Sequence, residues 1–225
     1  MNIGSVIAGI VGIVVGAKKL RDGVQDGASD GQARRRQLGR SPVKGRPSSS
    51  GNGVRYYHVN SLDQRIAFIV GQIKKGDSDR RIRALVLGLL QKKCGGKWCV
   101  PEKDWEGEVV VCFDAVRERV RYVRDHYSAD LFQHPGTTLF EFHGADCDDF
   151  VIVLASMLRW IGFKIWMRVI RTVDAPDWNH IYLVVEIPPC RGKPLRRVAL
   201  DASVDRPPGW EAPASMVTKE WIYTA

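Results

Sequence analysis

The chain has 225 residues, of which 44% are hydrophobic and 26% charged, a balance that fits an ordinary globular protein and excludes a fibrous or wholly disordered one. Its formal charge of +9 is uneven: residues 18–55 hold ten Lys/Arg against three Asp/Glu, a difference of +7, so the basicity belongs to one segment and says little about the folded part. Five cysteines, an odd number without a recognisable cleavable signal before them, argue against a complete disulfide framework and for mostly reduced thiols.

Residues 1–21 open on an apolar, glycine-rich run from Ile3 to Ala17, followed by Lys18, Lys19 and Arg21. The run is roughly five residues short of a standard membrane span. With Gly12 and Gly16 spaced for close helix approach, residues 1–21 are expected to form an apolar helix that meets a membrane or a partner in an assembly. Residues 22–55 read as a basic flexible linker, because Gly, Ser, Arg and Pro leave too little apolar surface to offset the entropy of ordering. Arg34, Arg35 and Arg36 could touch anionic lipid or nucleic acid. No aromatic residues are interleaved with them, so no specific nucleic-acid reader is expected.

The folded part is expected over residues 56–225. Ser61 suits an N-cap, and Leu62, Ile66, Ile69 and Ile73 follow at helical spacing up to Gly76. A second helix near Asp77 carries Ile82, Leu85, Val86 and Leu89 on one face. Cys94 and Cys99 flank Gly95-Gly96 and read as two independent thiols, with pairing or metal binding as the alternatives. Val109, Phe113, Val116, Val120 and Val123 predict a third helix. Residues 127–144 read as a loop broken at Pro135-Gly136, and a fourth helix runs from Cys147 to Trp160, stopping at Gly162. Strands are predicted at 163–170, 180–187 and 197–200. A helical N-terminal half followed by these strands gives an α+β fold with an antiparallel sheet on the Cys147 helix.

One constellation could do chemistry. Cys147 begins a helix, where unpaired N–H groups and the helix dipole favour a thiolate. Asp146, Asp148 and Asp149 crowd the same turn and oppose that effect; Asp146 or Asp148 is expected to cap the helix. His180 starts a strand and Asp201 ends the next, an order that can set an imidazole between a thiol and a carboxylate. Singly, each has a plain alternative: a core cysteine, a partly buried histidine, a turn aspartate. A metal set from His143, Asp146 and Asp149 is the weaker alternative at this turn.

Residues 144–150 (GADCDDF), the helix ending Arg-Trp-Ile-Gly162, residues 178–182 (WNHIY) and residues 199–202 (ALDA) resemble the transglutaminase-like cysteine peptidase superfamily, which is related to papain. The similarity is to bacteriophage and prophage members. It extends upstream to residues 78–90, 116–122 and 131–135, and spans about residues 56–213. It implies a papain/transglutaminase-like fold and a Cys, His, Asp triad mapped onto Cys147, His180 and Asp201, with no cofactor and no metal. By analogy with papain-like enzymes, Gln133 could donate to an oxyanion. The chain departs from the family pattern Gly-Asp-Cys by Ala145, whereas Tyr182, two residues after the histidine, fits it. The resemblance implies a cysteine peptidase or amidase acting on a peptide or a peptidoglycan cross-link. It also implies phage structural proteins as partners and a place in the virion tail or baseplate, with host membrane contact through residues 1–21 as the particle enters, or otherwise in the host cytoplasm. The alternative is a structural or anchoring virion protein with a weak or inactive domain.

Overall fold

The computed structural model describes the backbone of residues 13–17, 35–36, 48–49, 55–58 and 129, and residues 59, 61–125, 130–189 and 196–225 in full. The first strand, β1, is Ile13–Ala17. This corrects the expected helix at these residues. The Ile13-Val14-Val15 run is β-branched and stiff at χ1, which suits a pleated strand, and pairing on both edges satisfies its backbone. The remainder of residues 1–21 lies outside the described residues. Within the expected linker, Arg35–Arg36 (β2) and Ser48–Ser49 (β3) are short strands, and Arg55–Val59 (β4) closes the segment; its other residues also lie outside those described. Among the described residues, no helix is long and apolar enough to cross a membrane.

Helix α1 (Leu62–Gly76) begins where predicted, with the Ser61 hydroxyl accepting the Gln64 N–H at 3.3 Å. Its stripe of Ile66, Ile69 and Ile73 is buried. Helix α2 (Arg80–Leu90) starts three residues later than expected, because Asp79 rather than the sequence around Asp77 accepts the first free N–H, that of Arg81. Strands β5 (Lys93–Cys94) and β6 (Lys97–Trp98) form a hairpin across Gly95 and Gly96, both at positive φ. Cys94 and Cys99 are disulfide-bonded with Cα atoms 5.0 Å apart. The expectation of independent thiols is corrected: the two-glycine turn folds the chain back and brings the Cα atoms within bridging range.

Helix α3 (Trp105–Arg119) ends before Val123, which is 51% exposed; the chain turns extended at Val120 and continues as β7 (Arg121–Tyr122). The segment expected to be a loop is structured instead. It holds β8 (Ala129–Phe132), the short turn α4 (Pro135–Thr137), a π-helical turn at Thr138–Phe142 and β9 (Gly144–Ala145). Pro135 sits in the first turn of α4, where its missing N–H costs nothing.

Helix α5 (Cys147–Trp160) matches its predicted bounds. Every residue from Asp148 to Leu158 is buried, as befits a helix apolar on most sides. It packs between α1 and the sheet. Ser156 ties α5 to α1: its hydroxyl donates to the Ile152 and Ile73 carbonyls. The facing position is Gly76, where a Cβ would stand 2.1 Å from the Ser156 Oγ. Gly162, at φ +96°, ends the segment.

Strands β10 (Lys164–Thr172), β11 (His180–Ile187) and β12 (Arg196–Leu200) agree with the predicted strands to within two residues. The unpredicted β13 (Val217–Thr224) pairs antiparallel with β10. The main sheet has the order β12-β11-β10-β13-β2 and a smaller sheet the order β3-β4-β1-β8. β10 to β13 are antiparallel throughout. The protein is thus a mixed helix and strand structure whose main sheet is antiparallel from β10 to β13, with parallel pairs at β13-β2 and β1-β4, compatible with α+β.

Candidate active site

The site is where the start of α5 meets the starting end of β11. Asp146, in extended backbone, caps α5 by accepting the Asp149 N–H at 3.5 Å. The next residue is therefore the first of the helix, and that residue is Cys147. Its sulfur accepts the backbone N–H of Ile181 and its own N–H. Both contacts favour the thiolate, yet burial outweighs them, followed by the Asp146 carboxylate, and the thiol is pushed up to about 12. This corrects the expectation that the helix start would lower it. A helix end contributes only a partial charge, and here it faces desolvation and carboxylates together.

His180 and Asp201 are brought together as expected. Leu183 of β11 pairs with Leu200 of β12, so the chain just past β12 runs beside the first residues of β11. His180 Nε2 and Asp201 Oδ2 are 2.6 Å apart. The side chains are 21% and 3% exposed. Asp201 Oδ1 accepts the Ser203 N–H at 3.3 Å and its hydroxyl at 2.7 Å, which holds the carboxylate in one orientation. With Nε2 donating to Asp201, Nδ1 is the ring nitrogen left to exchange a proton. Tyr182, two residues on, lies with its ring centroid 5.9 Å from that of His180, and burial pushes its hydroxyl up. The approach to β11 is shaped by Asn179, whose side chain accepts the Thr172 N–H and donates to the Thr172 hydroxyl, both at 3.0 Å.

Cys147 and His180 line one cavity of about 130 Å³. Its apolar wall comes from Leu62, Ile66 and Ile69 of α1 and Val169 of β10. No hydrogen bond joins the Cys147 sulfur to the His180 ring among the described residues, so the resting arrangement holds the thiol and the imidazole as neighbours and not as a bonded pair.

Gln133 does not reach this cavity. Its side-chain amide donates to the Gly144 carbonyl at 3.1 Å and its backbone N–H donates to Asp149 Oδ1 at 2.8 Å. It braces the turn before the helix, which corrects its reading as an oxyanion donor. His134 accepts the Gly136 N–H on Nδ1 and caps α4. His143 is exposed in left-handed backbone and stands apart from the acidic turn.

Asp146, Asp148 and Asp149 place carboxylate oxygens within 4.8 Å of one another. Burial, then Asp146, raises the carboxyls of Asp148 and Asp149; Asp148 also shares a hydrogen bond with Asp146. Asp146 caps the helix and Asp149 Oδ1 accepts the Gln133 N–H, while Asp148 Oδ1 and Asp149 Oδ2 are buried without a hydrogen-bond partner among the described residues.

Three side chains at the cavity have no counterpart in the expected site. Arg65 of α1 forms an ion pair with Asp130 of β8 and lies over the Trp178 ring, 4.5 Å from its centroid. Arg65 precedes Ile66 and lies four residues before Ile69. Its place on the apolar side of α1 was therefore written in the same periodicity that identified the helix.

A scan against protein-family models finds no match, and a search of curated proteins returns none.

Proposed function

We propose that this chain is a cysteine-dependent amide hydrolase with a papain/transglutaminase-like domain, acting through Cys147, His180 and Asp201. The observation that carries this reading is the 2.6 Å hydrogen bond between His180 and Asp201 beside a cavity that both His180 and Cys147, at a helix start, line. His180 Nδ1 takes the Cys147 proton and the sulfur attacks an amide carbonyl carbon. The resulting tetrahedral intermediate collapses as His180 returns the proton to the leaving amine, giving a thioester and a free amine. Water, deprotonated by His180, then cleaves the thioester to an acid and restores the thiol. Asp201 keeps the ring in the tautomer that this sequence needs and stabilises the imidazolium. The substrate class is a peptide or a peptidoglycan cross-link, and the setting a phage particle whose structural proteins are the partners; both come from the motif resemblance.

Hydrolysis of a panel of peptide amides and muropeptides by wild type and Cys147→Ala tests the reading. Turnover that is lost in the variant supports it, and turnover that persists assigns the chemistry elsewhere. A second reading, a structural or anchoring role with a weak or inactive site, is favoured by the thiol raised to about 12 and by the missing bond between Cys147 and His180.

A further inference from the structure

We propose that Arg65 is a positioning residue for the cysteine chemistry: held from α1 by Asp130 and Trp178, its guanidinium supplies the counter-charge that lets a Cys147 thiolate form among carboxylates. The inference rests on the proposed hydrolase reading and adds a fourth residue to it.

Around Cys147 the charges are mostly of the wrong sign for a thiolate. Asp146, the cap of α5, and Asp148, within it, flank Cys147, and Asp201 stands behind His180. Asp130 of β8 lines the same cavity, Asp177 lies in the loop before β11, within electrostatic reach of Arg65, and Tyr122 of β7 lies within electrostatic reach of Cys147. Among the described residues that line the cavity, Arg65 and His180 are the only ones that can carry a positive charge. His180 must give up and regain its proton during the reaction. Arg65 keeps its charge at any working pH.

The geometry fits a charge kept in place rather than a solvated side chain. The Arg65 side chain is 15% exposed. Burying a guanidinium is costly unless partners hold it. Asp130 supplies an ion pair and Trp178 a ring face at 4.5 Å. Burial pulls the guanidinium down, while Asp148, Asp146, Asp177 and Cys147 in that order pull it up. Asp146 acts at both places, raising the Cys147 thiol as well as the guanidinium.

The test is the rate of iodoacetamide alkylation of Cys147, read by peptide mass spectrometry at fixed pH values from about pH 7 to pH 10, below the thiol midpoint, in the full chain. Arg65→Met should displace the line of rate against pH by about one pH unit, which lowers the rate at each pH roughly tenfold. Arg65→Lys should restore most of it. Arg65→Met with Asp130→Asn removes the stranded carboxylate, guards against misfolding and should stay displaced, with its melting temperature confirming the fold. An Arg65→Met profile that overlays the wild type overturns the proposal. So does a double variant that returns to the wild-type profile, since Arg65 would then serve only to neutralise Asp130, and so does a Lys variant displaced as far as Met. Wild-type Cys147 that resists alkylation at every pH defeats the hydrolase reading itself, and the role of Arg65 with it.

Discussion

Cys112, in the middle of α3, and Cys147, at the start of α5, both have thiols pushed up to about 12, and burial leads the causes at each. Their surroundings differ. Cys112 is 0% exposed within the apolar core, and its other influence, Glu108, raises the thiol further. Cys147 has two N–H groups on its sulfur, a histidine already oriented by a carboxylate, and Arg65 at the same cavity. Burial therefore does not separate an inert cysteine from a candidate nucleophile. What separates them is whether groups that could stabilise a thiolate, or accept its proton, stand within reach.

The largest effect expected from breaking this contrast is at the sulfur itself. Cys147→Ala should lower amide turnover by about a thousandfold or more, whereas Cys112→Ala should leave kcat/KM within about twofold. Next is the orienting carboxylate: Asp201→Asn should lower kcat roughly a hundredfold with little change in KM, because it alters the imidazole and not the apolar wall. Stability reverses the ranking of the two cysteines. Cys112→Ser, which places a hydroxyl in an apolar core, should cost about 1–3 kcal/mol in urea unfolding, while Cys147→Ser, at a partly exposed position that already receives N–H donors, should cost less.

A smaller effect concerns alkaline pH. Folding holds both thiols above their ordinary value of 9.0, so the folded state binds these protons more tightly than the unfolded chain does. The stability this represents is complete below about pH 9 and is lost as pH rises toward about 12. Cys112→Ala should flatten that alkaline decline in thermal unfolding. The smallest effect is expected at the hairpin: replacing Cys94 and Cys99 together by Ser should leave the labelling of Cys147 unchanged, since the hairpin residues from Lys93 to Trp98 are exposed and none of them lines the cavity.

The parts of the site carried by local chemistry were legible in the sequence. The Asp146 cap, the apolar run of α5 and the alternating residues of β11 state their own structure, and with it where Cys147 and His180 fall. The pairing of Asp201 with His180 was legible as an order of elements, since two consecutive strands in one antiparallel sheet bring the end of one beside the start of the next. Non-local balances were hidden. The thiol's direction depended on desolvation and on carboxylates that the turn collects, against which a partial dipole charge was overweighted. Residues 127–144 were read as a loop because Pro135-Gly136 signals a break, whereas the surrounding structure depends on distant partners: β8 on β1 and Gln133 on Asp149. Strand β13 buries only Tyr223 and so lacks the alternation that announces a half-buried strand. Arg65 sat beside a recognised apolar stripe, but nothing local says that a polar neighbour of a stripe faces a cavity.

The most direct test of the central claim is site-resolved labelling by a thiol-reactive amide mimic at neutral pH, comparing wild type with His180→Ala. The account predicts a single adduct on Cys147, none on Cys112, and a rate that falls by about a hundredfold or more when the imidazole is removed. Equal labelling in the two proteins, or an adduct on Cys112 in place of Cys147, would contradict it.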